Sequence, residues 1–293
     1  MLELQLMTTG AHANAISDYL LELGALAITL SDAEDNPIFE PELDTLPLWP
    51  EIKLAAIFSA ELSIEEILLN LYTHDEAPYI QHITKRIIAD QDWVKQTQAL
   101  TQPQCFGENL WIYPSWHKIP TGDGVKILLD PGLAFGTGSH ATTALVLTWL
   151  AKNPPVNLSV IDYGCGSGIL GVAAAKLGAK KVWSTDIDPQ ALTATQENAA
   201  ANNLSATELS TYLPGNLPQN IKADLILANI LALPLVQLVD TFISYLKPHG
   251  VLVLSGVLEK QIEMIKEAYV NKFSLITVNV QNEWVSMEWK LKH

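Results

Sequence analysis

The stretch from Val160 to Asp188 constrains this chain more than any other. It runs through the apolar pair Val160-Ile161, the cluster Asp162-Tyr163-Gly164-Cys165-Gly166-Ser167-Gly168, an Ala-rich segment closed by Gly178, and a second apolar run ending at Asp186. Apolar run, glycine cluster, helix former, glycine stop and apolar run predict one β-α-β unit. Gly164, Gly166 and Gly168 fall where strand becomes helix. Lacking Cβ atoms, they let the backbone turn sharply and let a ligand lie against the N–H groups at the helix start. Asp186 closes the second strand, at the carboxyl edge of the sheet, where a carboxylate can accept hydrogen bonds from a ribose diol.

Spacing separates two nucleotide-like ligands. The dinucleotide pattern G-x-G-x-x-G/A, counted from Gly164, would put Ile169 where the third small residue belongs, so it fails by one position. Asp162-x-Gly164-x-Gly166-x-Gly168 instead resembles the first motif of the Rossmann-like class of S-adenosylmethionine-dependent methyltransferases. That ligand has no pyrophosphate but carries an amino-acid end, whose ammonium group Asp162 can meet directly or through water. The bland alternative is a glycine-rich strand-to-helix turn with no ligand.

At 293 residues and 48% hydrophobic, the chain is long enough to bury a full core and to hold two domains. No apolar run reaches the length of a membrane span, and Met1-Leu2-Glu3-Leu4 lacks the basic region of a signal peptide, so a cytoplasmic location is expected. Cys105 and Cys165 are the only cysteines and have no metal-ligand spacing, so neither a disulfide framework nor a metal site is indicated. The net charge of −15 is concentrated in residues 1–100, which hold four basic residues against 17 acidic ones. Such a surface repels phosphate backbones and attracts basic partners, so no direct nucleic-acid binding is expected. Ordinary solubility charge is the competing explanation.

Leu2 to Thr8 alternates like a half-buried strand, Ala13 to Leu23 follows helical spacing up to Gly24, and Ala25 to Leu30 is again strand-like. An acidic connection over 31–50 leads to a strand at Ile52 to Phe58. Ser63 and Glu66 then read as a capping box opening a helix that Pro78 ends, and Tyr79 to Ala89 reads as a strand. The order β-α-β-β-α-β predicts a small ferredoxin-like α+β domain over 1–89. It carries no catalytic constellation, which suggests substrate recognition. Asp90 to Gln104 is expected to be a linker helix ending at Pro103, with the second domain, an α/β unit, over 105–293. There Leu110 to Tyr113 and Val125 to Leu129 look like short strands.

A second glycine-rich loop, Asp130 to Thr143, precedes an apolar run and delivers backbone and hydroxyl groups to a helix start. Phe135, Gly136, Thr137 and Thr143 are candidates to contact the ligand there. His140 is a candidate catalytic base, or equally a first-turn residue bonded to nearby backbone. Asp224-Leu225-Ile226-Leu227 reads as a buried parallel strand, with Ala228-Asn229 at its carboxyl end, where doubly wound sheets bind ligands. In amine methyltransferases generally an Asn here can hydrogen-bond the acceptor nitrogen, so the resemblance of the glycine motif makes Asn229 a candidate for that role. Gly250 to Ser255 reads as a strand after the turn Lys247-Pro248-His249. The helical segment Leu258 to Val270 and an antiparallel pair, Leu275 to Val280 and Trp284 to Leu291, close the chain.

Together, the Phe135 to His140 loop, the Val160 to Gly168 motif, Asp186-Ile187-Asp188-Pro189 and Ala228-Asn229-Ile230-Leu231 resemble the PrmA-type methyltransferases that modify large-subunit ribosomal protein eleven. Asp92-Trp93 and Leu110 to Trp116 are similar to that family's bridge between domains. Ala141 departs from the family, which commonly has Pro after the His. The resemblance implies a class I methyltransferase domain behind a small recognition domain, S-adenosylmethionine as cofactor, and a basic ribosomal protein as partner. It also places Asn229 among the cofactor-binding positions. Transfer to lysine side chains or an N-terminal α-amine, up to the trimethyl state, is the implied reaction. Another protein or a small-molecule amine is the alternative acceptor. A nucleotide-linked oxidoreductase is disfavoured by Ile169, and a non-catalytic adenosine-binding protein by the three intact loops.

Overall fold

The computed structural model describes residues 1–34, 48–88, 102–130 and 140–292. The chain divides into two compact units, 1–96 and 97–293. No helix among the described residues is long and apolar enough to cross a membrane.

The first unit is a four-stranded antiparallel sheet, β1 (Leu2–Thr9), β2 (Ala27–Asp32), β3 (Glu51–Phe58) and β4 (Gln81–Ile87), in the order β2-β3-β1-β4. Helices Gly10–Glu22 and Ile64–Thr73 connect these strands, giving the predicted β-α-β-β-α-β order. Alternation decides which face is covered: Leu4 and Leu6 of β1 and Leu54, Ala56 and Phe58 of β3 pack with Ile16, Leu20, Ile67 and Leu71 of the helices. The second helix begins as predicted, with Ser63 Oγ accepting from Glu66 N–H at 3.3 Å. Only that half of the predicted capping box is present, and Ser63 Oγ turns its own proton toward Glu65. The expected last strand is shorter, since Ala77–Tyr79 forms a 3-10 turn around Pro78.

The expected linker helix falls largely on residues outside those described. Its end differs from the prediction: Gln102 and Pro103 are irregular and Gln104 opens a strand, β5 (Gln104–Phe106). With β6 (Leu110–Tyr113) and β7 (Val125–Leu128) it makes a three-stranded sheet whose apolar residues Phe106, Leu110, Ile112 and Ile127 join the core of the second unit.

That core surrounds a seven-stranded sheet made from β8 (Ser159–Tyr163), β9 (Lys181–Thr185), β10 (Leu209–Tyr212), β11 (Ala223–Asn229), β12 (Leu246–Leu258), β13 (Phe273–Gln281) and β14 (Trp284–Leu291). The order is β10-β9-β8-β11-β12-β14-β13, parallel from β10 to β12 and antiparallel at β14 and β13. Parallel strands are covered on both faces, which is why β11 is apolar at consecutive positions: Leu225 and Leu227 enter one core and Ile226 and Ala228 the other. Helices Ala141–Lys152 and Ile169–Lys176 contribute to the first of these cores. From β8 the chain runs outward through β9 to β10, then crosses back to β11, so the strand order reverses between β8 and β11. A crevice outside their carboxyl ends is the expected ligand position in such a sheet.

Boundaries also differ from expectation later in the chain. The segment Lys247-Pro248-His249 is not a separate turn, because β12 begins at Leu246 and absorbs it as a register shift, with His249 at φ +62°. The last helix spans only Ile262–Tyr269, after a 3-10 turn at Glu259–Gln261.

Candidate active site

β8 ends at Tyr163, and the chain turns through Gly164 and Gly168 in the left-handed region, at φ +75° and +78°. A Cβ on Gly164 would collide with the Ile230 side chain, and one on Gly168 would stand 2.9 Å from the Thr195 backbone. The turn is fixed from beneath. Gly164 and Cys165 N–H donate to Thr185 O at 2.7 and 3.0 Å, Asn198 Nδ2 donates to Ser167 O at 2.8 Å, and Thr195 Oγ1 donates to Gly166 O at 3.1 Å. Cys165 is buried inside it, and burial pushes its thiol well above the usual range.

Asp186 stands just after β9, as predicted. One carboxylate oxygen accepts from Gly166 N–H at 2.9 Å and the other from Asp188 N–H at 3.0 Å. Asp188 in turn caps the helix Pro189–Ala201 by accepting from Gln190 N–H at 2.8 Å. These bonds hold the Asp186 carboxylate at the rim of a cleft of about 530 Å³, with lone pairs left for further donors. Gly164 and Gly166 line the same cleft, as do Ile187 and Pro214 on one side and Asn229 and Ile230 on the other. Its size and its mixture of apolar wall and a few polar groups suit a small organic ligand.

Asp162 takes a different place from the one its motif suggested. It is 0% exposed and does not line the cleft. Its Oδ2 accepts from Gly171 N–H at 2.9 Å, tying β8 to the helix Ile169–Lys176, and its Oδ1 has no hydrogen-bond partner. From this position Asp162 supports the loop from inside. Burial pushes its carboxyl up to about 7, with the Gly171 N–H opposing and the Asp186 charge adding. Gly171 was not singled out in the sequence, yet a Cβ there would meet Ser184 Oγ at 2.8 Å and Asp162 Oδ2 at 2.9 Å.

Asn229 is the last residue of β11, and its Nδ2 donates to Thr143 Oγ1 at 3.2 Å. Thr143 is 1% exposed, on the first turn of the helix Ala141–Lys152, and lines neither the cleft nor its neighbour. It stands behind Asn229 and holds that amide. His140 is the cap of the same helix. Its Nδ1 lies 2.8 Å from Thr142 Oγ1 and accepts from Thr142 N–H at 3.4 Å. With Nδ1 accepting, the proton of the neutral ring belongs on Nε2, so the basic nitrogen is committed to the helix start. Phe135, Gly136 and Thr137 lie outside the described residues.

A second cavity, of about 310 Å³, adjoins the cleft and shares Asn229, Ile230 and Leu231 with it. Its far wall is His140, Thr142 and Trp284. Sequence reasoning placed Trp284 only as a strand residue, because nothing local marks a side chain that reaches a site through strand order.

A family model described as Ribosomal protein L11 methyltransferase (PrmA) matches residues 1–292. The chain is 46% identical over 286 residues to a protein of that name from Pseudomonas savastanoi pv. phaseolicola, covering 97% of each chain. It is 45% identical over 287 residues to another from Azotobacter vinelandii, covering 98% of each. Among solved structures, the ribosomal protein L11 methylase from Lactobacillus delbrueckii subsp. bulgaricus superposes with a TM-score of 0.60 at 36% identity, over 66% of this chain and 100% of that one. With a class I sheet, a glycine turn at its switch point and whole-length matches of this kind, the chain belongs to the ribosomal protein L11 methyltransferase family.

Proposed function

We propose that this protein transfers methyl groups from S-adenosylmethionine to amino groups of ribosomal protein L11, on lysine side chains, the N-terminal α-amine or both, and carries a nitrogen through to the trimethyl state. The observation that carries this reading is the place of Asn229, on the wall shared by the cleft of Gly164, Gly166 and Asp186 and the second cavity. The cleft residues fit the cofactor: Asp186 would accept from the ribose, Ile187 and Pro214 would flank the base, and the Gly164–Gly166 backbone would lie against the rest. When bound, the sulfonium supplies an electrophilic methyl carbon.

The residues of the chain supply position, which accounts for most of the rate of a direct displacement. Only a neutral amine attacks. A lysine side chain, with an ordinary pKa of about 10.4, must give up more free energy for this than an α-amine near 8. Entry into a cavity walled by Ile230, Leu231 and Trp284 disfavours the charged form of either and so lowers the cost. His140, with Nδ1 engaged by Thr142, is better suited to shaping the wall than to taking the proton, which leaves through solvent.

The acidic first unit, taken as residues 1–89 with a bridge over 90–104, recognises the basic ribosomal protein, and the methyltransferase domain is 105–293. The same charge disfavours nucleic acid as a direct partner, and the site of action is the cytoplasm. Labelled methyl transfer into ribosomal proteins from cells lacking this protein, followed by mass spectrometry of the acceptor, tests the reading. Label on a different protein, or on a small amine alone, would replace ribosomal protein L11 as substrate.

A further inference from the structure

The second cavity has a wall built from three distant parts of the second unit. Trp284 follows the two-residue turn Asn282–Glu283, both at positive φ (+49° and +66°), which pairs Gln281 with Trp284. Backbone conformations of that kind match the twist of a tight hairpin. Trp284 also pairs with Leu258 of β12, so its backbone is held from both sides. Its indole meets the His140 ring edge-on, with centroids 5.0 Å apart and planes at 67°. Behind them, Ser255 Oγ lies 3.1 Å from Thr142 O and 3.0 Å from Val285 O, sharing one proton between the helix start and β14. Gly256, at φ +84°, lies against the Ile230 backbone where no side chain fits. The aromatic wall is therefore pinned to the framework, facing Asn229, Ile230 and Leu231.

Few polar groups line this space among the described residues, and none of those residues is acidic. Apolar walls favour a neutral amine on entry, but the reaction places a charge there. The nitrogen lone pair forms the new bond to the methyl carbon while the carbon–sulfur bond breaks and its electron pair stays on sulfur, so positive charge passes to nitrogen. A proton then leaves to solvent before the next transfer. After the third transfer no proton remains, and the charge is permanent. An aromatic ring attracts an alkylammonium without needing a hydrogen from it.

We propose that the cavity bounded by Asn229, Ile230, His140 and Trp284 receives the acceptor amine, and that Trp284 is a specificity-determining residue that holds the alkylammonium formed at each transfer. This rests on the amine-methyltransferase reading above and adds to it the group that governs how far one nitrogen is carried. Trp284 does not line the cofactor cleft, so its replacement should leave cofactor affinity intact.

The test uses the full chain with Trp284→Phe and Trp284→Leu. Tetramethylammonium is the binding probe, measured by calorimetry without any turnover. The wild-type protein and Trp284→Phe should bind it, and Trp284→Leu should bind it roughly tenfold more weakly, within the range of a desolvated cation–π contact. All three should bind S-adenosylmethionine within about twofold of one another and melt alike, and any loss in Leu that Phe restores is then no folding defect. On ribosomal protein L11, Trp284→Leu should accumulate mono- and dimethyl products, with a higher KM for the partly methylated acceptor. Equal tetramethylammonium binding in wild type and Trp284→Leu would overturn the proposal. If the probe discriminates the variants but no amine of any protein is methylated, the cavity assignment stands and the acceptor reading fails.

Discussion

Asn229 Nδ2 donates to Thr143 Oγ1 across 3.2 Å, joining the end of β11 to a helix start 86 residues earlier in the chain. Asn229 forms part of the wall between two cavities, and Thr143 sets which way its amide points.

Asn229→Ala should lower the methyl-transfer rate about 100-fold, the scale of a misplaced reacting group, with little change in the unfolding temperature of the free protein. Thr143→Val, which keeps the shape and removes the acceptor, should give a smaller loss of rate in the same direction. Steady-state kinetics beside thermal melts check both. A large drop in melting temperature with an unaltered rate would make the pair structural.

Asp186→Ala removes a prospective ribose acceptor and also the partner of Gly166 N–H. Cofactor affinity should fall by about 1.5 to 3 kcal/mol, the span for hydrogen bonds to a charged group. Asp186→Asn should be nearly as poor, since its amide must turn a donor toward either Gly166 or Asp188. Calorimetric affinity equal to wild type in both would reject the assignment. NAD should not bind.

The Asp162 carboxyl, buried and raised to about 7 from 3.8, makes folding depend on pH. Between those values the folded protein keeps a proton that the unfolded chain has released. This stabilisation is fully present below pH 3.8 and declines as pH rises through about 7, amounting to roughly 4 kcal/mol at about 1.4 kcal/mol per pH unit. Asp162→Asn keeps an acceptor for Gly171 N–H and cannot ionise, so it should lose this component. Melting temperatures at pH 5.5 and 8 should converge in the variant relative to wild type, with the variant more stable at pH 8. Parallel pH profiles for the two proteins would show that Asp162 does not titrate there.

A chain beginning at Asp90 should bind S-adenosylmethionine like the full protein and fail to methylate ribosomal protein L11. The first unit has its own core of Leu4, Ile16, Leu54 and Ile67, and the described residues that line the cofactor cleft all belong to the second unit. Full activity of the shortened chain on that protein would assign recognition elsewhere.

The sequence by itself determined what local rules control. Alternation in β1 and β3 set the buried face of the first sheet, Ser63 began its helix, and the glycines after Tyr163 required a turn that other residues would block. Asp186 and Asn229 were placed at strand ends because apolar runs stop there, and parallel strands end at a common edge. Tertiary structure decided what depends on strand order. That Asp162 faces inward to Gly171 follows from the helix Ile169–Lys176 folding back on β8. That Thr143 stands behind Asn229 and Trp284 meets His140 follows from the helix Ala141–Lys152 packing on a sheet in which β11 lies beside β12 and β14 beside β12. Periodicity tells a side chain which face to take. It does not say which distant strand will lie next to it, because that choice is made by the packing of the whole sheet and its helices.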